Sequence, residues 1–247
     1  MRFLGPDDLR AALPMDVAIE AMVAAFGDDT EVPARVQLGS SLFMPGRVGD
    51  TTGIKVVSTV PGSPSGVVVV FDQSGGPLGM VDGPTLTALR TGAAAGLATR
   101  LLARSDSHTM AMLGCGVIAT DQVRAVRAVR DIERVLVWSR NPAKAAAFAS
   151  RVGGEAVEDP GTAVLAADIV TTATPAEHHL FEDSNVRPGT HLNAVGAFTP
   201  RMIEISPATV QRAFVVVDDR GAAAREAGDL LQANKTPDAT LGDLVTG

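Results

Sequence analysis

The run Thr109-Met110-Ala111-Met112-Leu113 is apolar enough for a buried strand, and it ends in Gly114-Cys115-Gly116-Val117-Ile118-Ala119, where a helical pattern begins. A strand that stops at two glycines and restarts as a helix constrains the fold more than any other feature of the chain. Gly114 permits the sharp turn, Gly116 lets a pyrophosphate approach the backbone, and Ala119 in the third small position lets the helix pack closely on the strand. The first N–H groups of that helix then face the anion. Gly114, Gly116, Val117 and Ile118 therefore read as a dinucleotide-binding turn.

Further apolar runs recur at Arg134-Val135-Leu136-Val137-Trp138, Asp168-Ile169-Val170-Thr171-Thr172, His191-Leu192-Asn193-Ala194-Val195 and Ala213-Phe214-Val215-Val216-Val217, with helical or loop segments between them. The alternation predicts a parallel sheet buried on both faces, the doubly wound Rossmann arrangement of an α/β protein. The second strand ends in Trp138-Ser139-Arg140, where an acidic side chain would accept from the ribose 2′-OH of NAD. Ser139 and Arg140 can instead hydrogen-bond and neutralise a 2′-phosphate, so NADP(H) is the preferred cofactor and NAD(H) the alternative. Arg140 could equally be solvated beside a helix start, with Asn141 as its cap and Pro142 at its first position.

At 247 residues the chain can bury a sizeable core and hold one large domain or two smaller ones. A net charge of -7, with no basic run interleaved with aromatics, argues against nucleic acid as a partner. No apolar run approaches a membrane span and the first residues lack a signal-peptide core, so a cytoplasmic protein without a membrane partner is expected. The single Cys115 cannot form an internal disulfide, and between two turn glycines it reads as a small residue and not a reactive thiol. The four histidines show no metal-ligand spacing, and no metal is expected.

Upstream, residues 6–26 place Leu9, Ala12, Leu13, Val17, Ile19, Met22, Val23 and Phe26 on one helical face. Residues 33–53 are punctuated by turn formers. Strands are expected at 54–59, 67–71 and 78–81, with a hairpin turn at Gln73-Ser74-Gly75-Gly76-Pro77, which makes this an antiparallel α+β region. A helix over 84–103 follows, capped near Asp82 or Gly83 with Pro84 in its first turn. Its stretch Arg90-Thr91-Gly92-Ala93-Ala94-Ala95-Gly96 is small enough to admit another backbone or a ligand. The organisation expected is an α+β domain over 1–105 and an NAD(P)-binding Rossmann domain over 106–217. Residues 218–247, with a helical pattern at 220–233, pack back on and complete the first.

Pro33-Ala34-Arg35, Gly53-Ile54-Lys55, Asp82-Gly83, Leu86-Thr87-Ala88-Leu89-Arg90-Thr91, the glycine turn, Trp138-Ser139-Arg140, Thr172-Ala173-Thr174-Pro175, Asn193-Ala194-Val195-Gly196 with Pro200 and Glu204, and Asp218 with Glu226-Ala227-Gly228-Asp229 form an ordered series. In order and spacing this series resembles the ornithine cyclodeaminase/mu-crystallin family of NAD(P)-dependent proteins, over almost the whole chain. The resemblance implies that Arg35, Lys55 and Arg90 clamp a substrate carboxylate, with Lys55 and Arg90 as the catalytic pair. It also implies that Arg90 and Thr91 reach the cofactor and that Thr172, Thr174, Val195 and Gly196 line its nicotinamide end. Two guanidinium forks and an ammonium suit that task, because charge-assisted hydrogen bonds fix a planar carboxylate beside the hydride donor. Taken one at a time, each cation would read as a surface ion-pair member. The resemblance further makes the first domain the substrate-binding and dimerisation domain of a homodimer.

Where ornithine cyclodeaminases carry an aspartate that moves protons during amine loss and ring closure, this chain has Phe198, which cannot move protons. Reduction of a cyclic imine asks less of the protein, since the nitrogen can arrive protonated, and the mu-crystallin branch performs it. The expected activity is NADPH-dependent reduction of a small cyclic imine (ketimine) carboxylate, in the manner of a pyrroline-2-carboxylate reductase. Phe198 would make the pocket apolar and Glu226 would be a further contact or a replacement base. Three alternatives stay open: ornithine cyclodeamination, amino-acid oxidation of the alanine-dehydrogenase kind, and a non-catalytic NADP(H)-binding protein of the mu-crystallin type. Relative to the family the segment 55–71 is expected to be short, and the chain to stop before a further strand and helix.

Overall fold

In the computed structural model, which describes residues 2–60 and 65–247, backbone contacts divide the chain into two units, Met1–Arg90 and Thr91–Gly247. In the first, β1 (Arg2–Leu4) leads into α1 (Pro6–Ala12) and α2 (Met15–Ala25). The single helix expected over 6–26 is thus two, because Pro14 has no N–H to give and disfavours helical backbone at Leu13. Then come β2 (Thr30–Glu31), β3 (Val36–Leu38), β4 (Ser41–Val48), β5 (Thr51–Ser58), β6 (Gly66–Phe71) and β7 (Pro77–Asp82). They form one sheet in the order β1-β7-β6-β5-β4-β2, with β3 also on β4.

β4 runs through residues expected to be turn-rich, Pro45 among them. It survives because β3 pairs with residues 41–43 and β2 with residues 47–48, so Pro45 faces a gap on that edge where a missing N–H loses no bond. The sheet is antiparallel except at β1, which lies parallel to β7 because the chain leaves β1 into α1 and not through a hairpin. Residues 61–64, part of the segment expected to be short, lie outside the described residues.

α3 (Gly83–Leu102) begins where Asp82 Oδ1 accepts from Thr85 N at 2.8 Å, the expected cap. A Cβ on Gly92 would stand 2.7 Å from Asp121 O, so at that point the small stretch of α3 admits another backbone.

In the second unit β8 (Thr109–Leu113), α4 (Ala119–Val129), β9 (Arg134–Trp138), α5 (Pro142–Val152), β10 (Glu155–Ala156), α6 (Pro160–Ala166), β11 (Ile169–Thr172) and β12 (His191–Ala194) alternate. The five strands are parallel in the order β10-β9-β8-β11-β12, the doubly wound order of a Rossmann sheet. Alternate residues of β8 serve the two faces. Met110 and Met112 pack with Val123, Val126 and Phe148, while Ala111 and Leu113 pack with Val164, Ile205 and Val210. Each fully buried side chain of the size of Phe148 contributes about 2 kcal/mol.

α7 (Pro207–Arg212), β13 (Val216–Val217), α8 (Arg220–Glu226), α9 (Gly228–Ala233), β14 (Ala239–Thr240) and α10 (Leu241–Thr246) complete the chain. The apolar run 213–217 does not join the large sheet. Val215 N donates to Asp238 Oδ2 at 2.7 Å, which turns the run toward residues 238–240, and β13 pairs with β14 alone. The helix expected over 220–233 breaks at Ala227, because Gly228 is pressed against the main chain of Thr199 and Met202.

Residues 218–247 group with the second unit, where Ala233 joins the core. The division falls at Arg90, inside α3, whereas the expected boundary follows residue 105. The later turns of α3 are bonded within the second unit: Asn193 Nδ2 donates to Thr99 Oγ1 at 2.9 Å, and Arg130 donates to the carbonyls of Thr99, Arg100 and Ala103. Among the described residues no helix is long and apolar enough to cross a membrane.

Candidate functional site

Above the end of β8 the chain turns at Gly114, whose φ of 115° is a conformation that favours glycine, and a Cβ there would stand 2.5 Å from Ala173 O. Gly116 is the opposite case. A Cβ on it would meet nothing within 4 Å, so its backbone borders open space at the start of α4. Val117 beside it is 87% exposed, and Ala119 is fully buried against the sheet. A positive-φ glycine against the next strand, an open glycine above a helix N-terminus and a buried alanine are the three features that a dinucleotide pyrophosphate needs here. Cys115 Sγ lies 3.9 Å from Trp138 O, and burial pushes its thiol pKa up, which suits a packing role and not a nucleophile.

A cavity of about 200 Å³ adjoins the turn and is lined by Gly114, Gly116, Ser139, Arg140 and Thr174 among others. Lys144, which sequence reasoning does not single out, lines it too. Asn141 Oδ1 accepts from Lys144 N at 3.2 Å as the cap of α5, with Pro142 at the first position. The signal for Lys144 was its place in that first turn, which brings it round beside Arg140.

The ends of β11 and β12 are tied together by Glu204, whose side chain is wholly buried. One carboxylate oxygen accepts from Thr172 Oγ1 at 2.9 Å and Gly196 N at 2.7 Å. The other accepts from Thr174 N at 2.6 Å and Thr174 Oγ1 at 2.7 Å. Burial pushes the carboxyl pKa up and the donated hydrogen bonds oppose it. Val195 N continues the ladder to Thr172 O at 3.0 Å.

Glu204 N and Ile205 N donate in turn to Asp229 Oδ1 at 2.7 and 2.9 Å, and Asp229 is itself buried with its pKa raised by desolvation. Sequence reasoning gives neither carboxylate a role. The available signal was Met202-Ile203-Glu204-Ile205, a carboxylate set within an apolar run.

In the first unit Lys55 sits on β5 opposite Met44 and Val68, and its Nζ donates to Thr87 Oγ1 at 2.7 Å. Thr87 Oγ1 donates onward to Gly83 O at 2.8 Å. Burial first and the charge of Arg90 second lower the Lys55 pKa to about 8. Lys55 and Arg90 therefore form one cationic group, and Arg90 is an exposed residue. Arg35 is exposed just before Val36. Val36 pairs with Phe43 while Met44 pairs with Lys55, so Arg35 and Lys55 flank β4 at one level, about two strand spacings apart. Such a set can hold a planar carboxylate.

Phe198 is 64% exposed, and Glu226 is half-buried at the end of α8. His191 opens β12, at the amino ends of the strands and away from the glycine turn. Burial lowers its pKa to about 4, and it bonds to Asn193. It is no proton donor for chemistry at the carboxyl edge. Also at the amino edge, His108, Asp131 and Glu133 bring ligand-type atoms within 4.8 Å of one another, all on exposed side chains. An open depression of about 510 Å³ over residues 127–132, Asp131 among them, lies at the far end of α4 from the turn.

Comparison with known proteins agrees with this geometry. The chain is 35% identical over 241 residues to the Delta(1)-pyrroline-2-carboxylate reductase of Bacillus cereus, covering 87% of this chain and 74% of the relative. The Thermococcus litoralis Delta(1)-pyrroline-2-carboxylate reductase, solved with NADH and L-proline, superposes with a TM-score of 0.91 at 32% identity, covering 100% of this chain and 87% of the other. An archaeal alanine dehydrogenase dimer with bound NAD also superposes at 0.91, with 28% identity over 99% of this chain and 84% of its own. Residues 24–247 match the model of a single family, and the chain belongs to the ornithine cyclodeaminase/mu-crystallin family.

Proposed function

We propose that this chain is an NADPH-preferring reductase of a small cyclic imine bearing a carboxylate, of the pyrroline-2-carboxylate or ketimine type. The observation that carries the reading is that one chain holds both a dinucleotide turn of the right geometry and the Lys55–Thr87–Arg90 cationic group. Lys55 and Arg90, with Arg35, hold the substrate carboxylate and so orient the neighbouring imine carbon. Gly114, Gly116, Val117 and Ile118 hold the pyrophosphate, and Arg90 and Thr91 reach toward the cofactor. Thr172, Thr174, Val195 and Gly196 border the nicotinamide end. When bound, the dinucleotide supplies the hydride. Ser139, Arg140 and Lys144 favour a 2′-phosphate over a free 2′-OH, which makes NADPH the preferred form.

Phe198 offers no atom for proton transfer, which favours reduction of a preformed imine over cyclodeamination. Its exposed ring and Glu226 are assigned to substrate contact. In this proposal the first unit is the substrate-binding and dimerisation part and the second the cofactor-binding part. A homodimer would cover exposed apolar side chains of the first unit such as Val32, Val36, Leu38 and Leu78. A reducing, cytoplasmic compartment suits the free thiol of Cys115 beside the cofactor turn.

The test is oxidation of NADPH and of NADH by the full chain with pyrroline-2-carboxylate and piperideine-2-carboxylate, followed at the dihydronicotinamide absorbance. Turnover with NADPH favoured supports the proposal. Saturable dinucleotide binding without turnover on either imine rejects the substrate assignment.

A further inference from the structure

We propose that Glu204 is a positioning residue whose buried negative charge tilts the nicotinamide end toward the oxidised, cationic ring over the reduced, neutral one. The proposal rests on the dinucleotide reading above and deepens it.

A dinucleotide on a sheet of this order lies across the carboxyl ends of the strands, at the switch between β8 and β11. The glycine turn takes the pyrophosphate, and the end of β9 with Ser139 and Arg140 faces the adenosine ribose. The other half of the molecule is left with the ends of β11 and β12. Those are the ends that Glu204 joins, through Thr172 and Thr174 on one side and Gly196 on the other.

The donor set also bears on the form of the carboxyl group. Gly196 N and Thr174 N address different oxygens, and a backbone N–H cannot turn round to accept. Each oxygen thus already accepts from a group that can only donate, and these bonds favour the carboxylate anion while burial opposes it. Among the described residues the donors that reach it are neutral hydroxyl and amide groups, which stabilise the charge without cancelling it. In a buried setting such a charge acts over a longer range than one in water. Asp229, accepting from Glu204 N and Ile205 N, fixes the main chain from which the carboxylate projects. An anion that favours the cationic ring also favours the direction in which the dinucleotide gives up hydride, in keeping with a reductase.

A residue that merely staples two strand ends would affect both redox forms alike, and the test exploits this. Dissociation constants of NADPH and NADP+, and of NADH and NAD+, are measured for the full chain, for Glu204→Gln and for Glu204→Asp. Dihydronicotinamide fluorescence reports the reduced forms and competition the oxidised ones. Glu204→Gln is expected to raise the oxidised-to-reduced ratio of dissociation constants roughly tenfold, the order expected of one unit charge at a partly buried site. Glu204→Asp keeps the charge and is expected to keep the ratio within about twofold while weakening both forms. Equal loss of both forms in Glu204→Gln overturns the proposal and leaves a staple. If circular dichroism shows that Glu204→Gln does not fold, Glu204→Met takes its place as a second variant without the charge: a raised ratio supports the proposal and an unchanged ratio overturns it. A wild-type chain that binds neither redox form overturns the dinucleotide reading itself, which an unchanged ratio does not.

Discussion

Lys55 Nζ donates to Thr87 Oγ1 at 2.7 Å, and the same hydroxyl donates to Gly83 O at 2.8 Å, so a lysine of β5 is tied to the first turn of α3. Because its proton is committed to the helix carbonyl, the threonine oxygen can only accept from the lysine, which stabilises the ammonium form. Burial and Arg90 oppose it and hold the pKa at about 8. A substrate carboxylate needs the charged form. Its KM is therefore expected to be flat below pH 7 and to climb as pH rises through about 8. Thr87→Val removes the acceptor, lowers the lysine pKa further and moves the climb to lower pH. Profiles of KM against pH for the two proteins check this, and superimposable profiles would mean that Thr87 does not tune the lysine.

Arg140 and Lys144 line one cavity with Ser139 at the end of β9. A 2′-phosphate there gains a charge-assisted hydrogen bond from each cation, worth about 1.5 kcal/mol, or roughly tenfold in affinity. Arg140→Ala and Lys144→Ala are each expected to weaken NADPH by about that factor, and the pair by more than either alone, with NADH hardly changed. Equilibrium binding of both dinucleotides checks the outcome. Wild-type affinities that already favour NADH would remove Arg140 and Lys144 from cofactor selection.

The Rossmann unit was legible because its signals are local: a strand, two glycines and a helix within about twenty residues, then apolar runs at strand length. Most of the misses have a different cause. Pro45 sits inside β4 only because the outer neighbours of β4 leave a gap at that residue, which no window of sequence around it reveals. The break at Leu13-Pro14 was written in the sequence, but the continuous apolar face across it outweighed the proline. Lys55 meets Thr87 across 32 residues, and Glu204 meets Thr172 across the same separation, so partners of this kind emerge only from topology. Lys55 and Arg90 were visible through the resemblance. Their partner Thr87 lay inside the same matching segment without a role.

The two turn glycines should separate folding from cofactor binding. At Gly114, φ is 115° and a Cβ would stand 2.5 Å from Ala173 O, so Gly114→Ala strains the backbone and pushes the next strand end away. A loss of about 3 kcal/mol and a Tm lower by roughly 6–12 °C are expected. At Gly116 a Cβ would meet nothing within 4 Å beyond its own chain neighbours. Gly116→Ala is expected to leave Tm within about 1–2 °C of wild type while sharply weakening dinucleotide binding, since the added methyl occupies the space a pyrophosphate needs. Thermal melts with and without dinucleotide check both. A Gly116→Ala protein that binds normally would show that the pyrophosphate does not approach that backbone.

His191 makes acid stability a test of the second unit. Its Nε2–H donates to Asn193 Oδ1 at 3.1 Å, and Asn193 Nδ2 donates to Thr99 Oγ1 at 2.9 Å, so the ring sits in a polar chain linking β12 to α3, and it is burial that disfavours its charged form. Burial takes its pKa from 6.5 down to about 4. Between those values the unfolded chain binds a proton on this ring that the folded chain does not, so stability is lost as pH falls from 6.5 toward 4. Below about 4 this group adds no further loss, and the full effect is about 3 kcal/mol. His191→Gln keeps an N–H donor for Asn193 but does not titrate, and its stability should fall less over the same interval. Urea midpoints at pH 7, 5.5 and 4.5 for both proteins measure the difference, and parallel curves would place the acid sensitivity in groups other than His191.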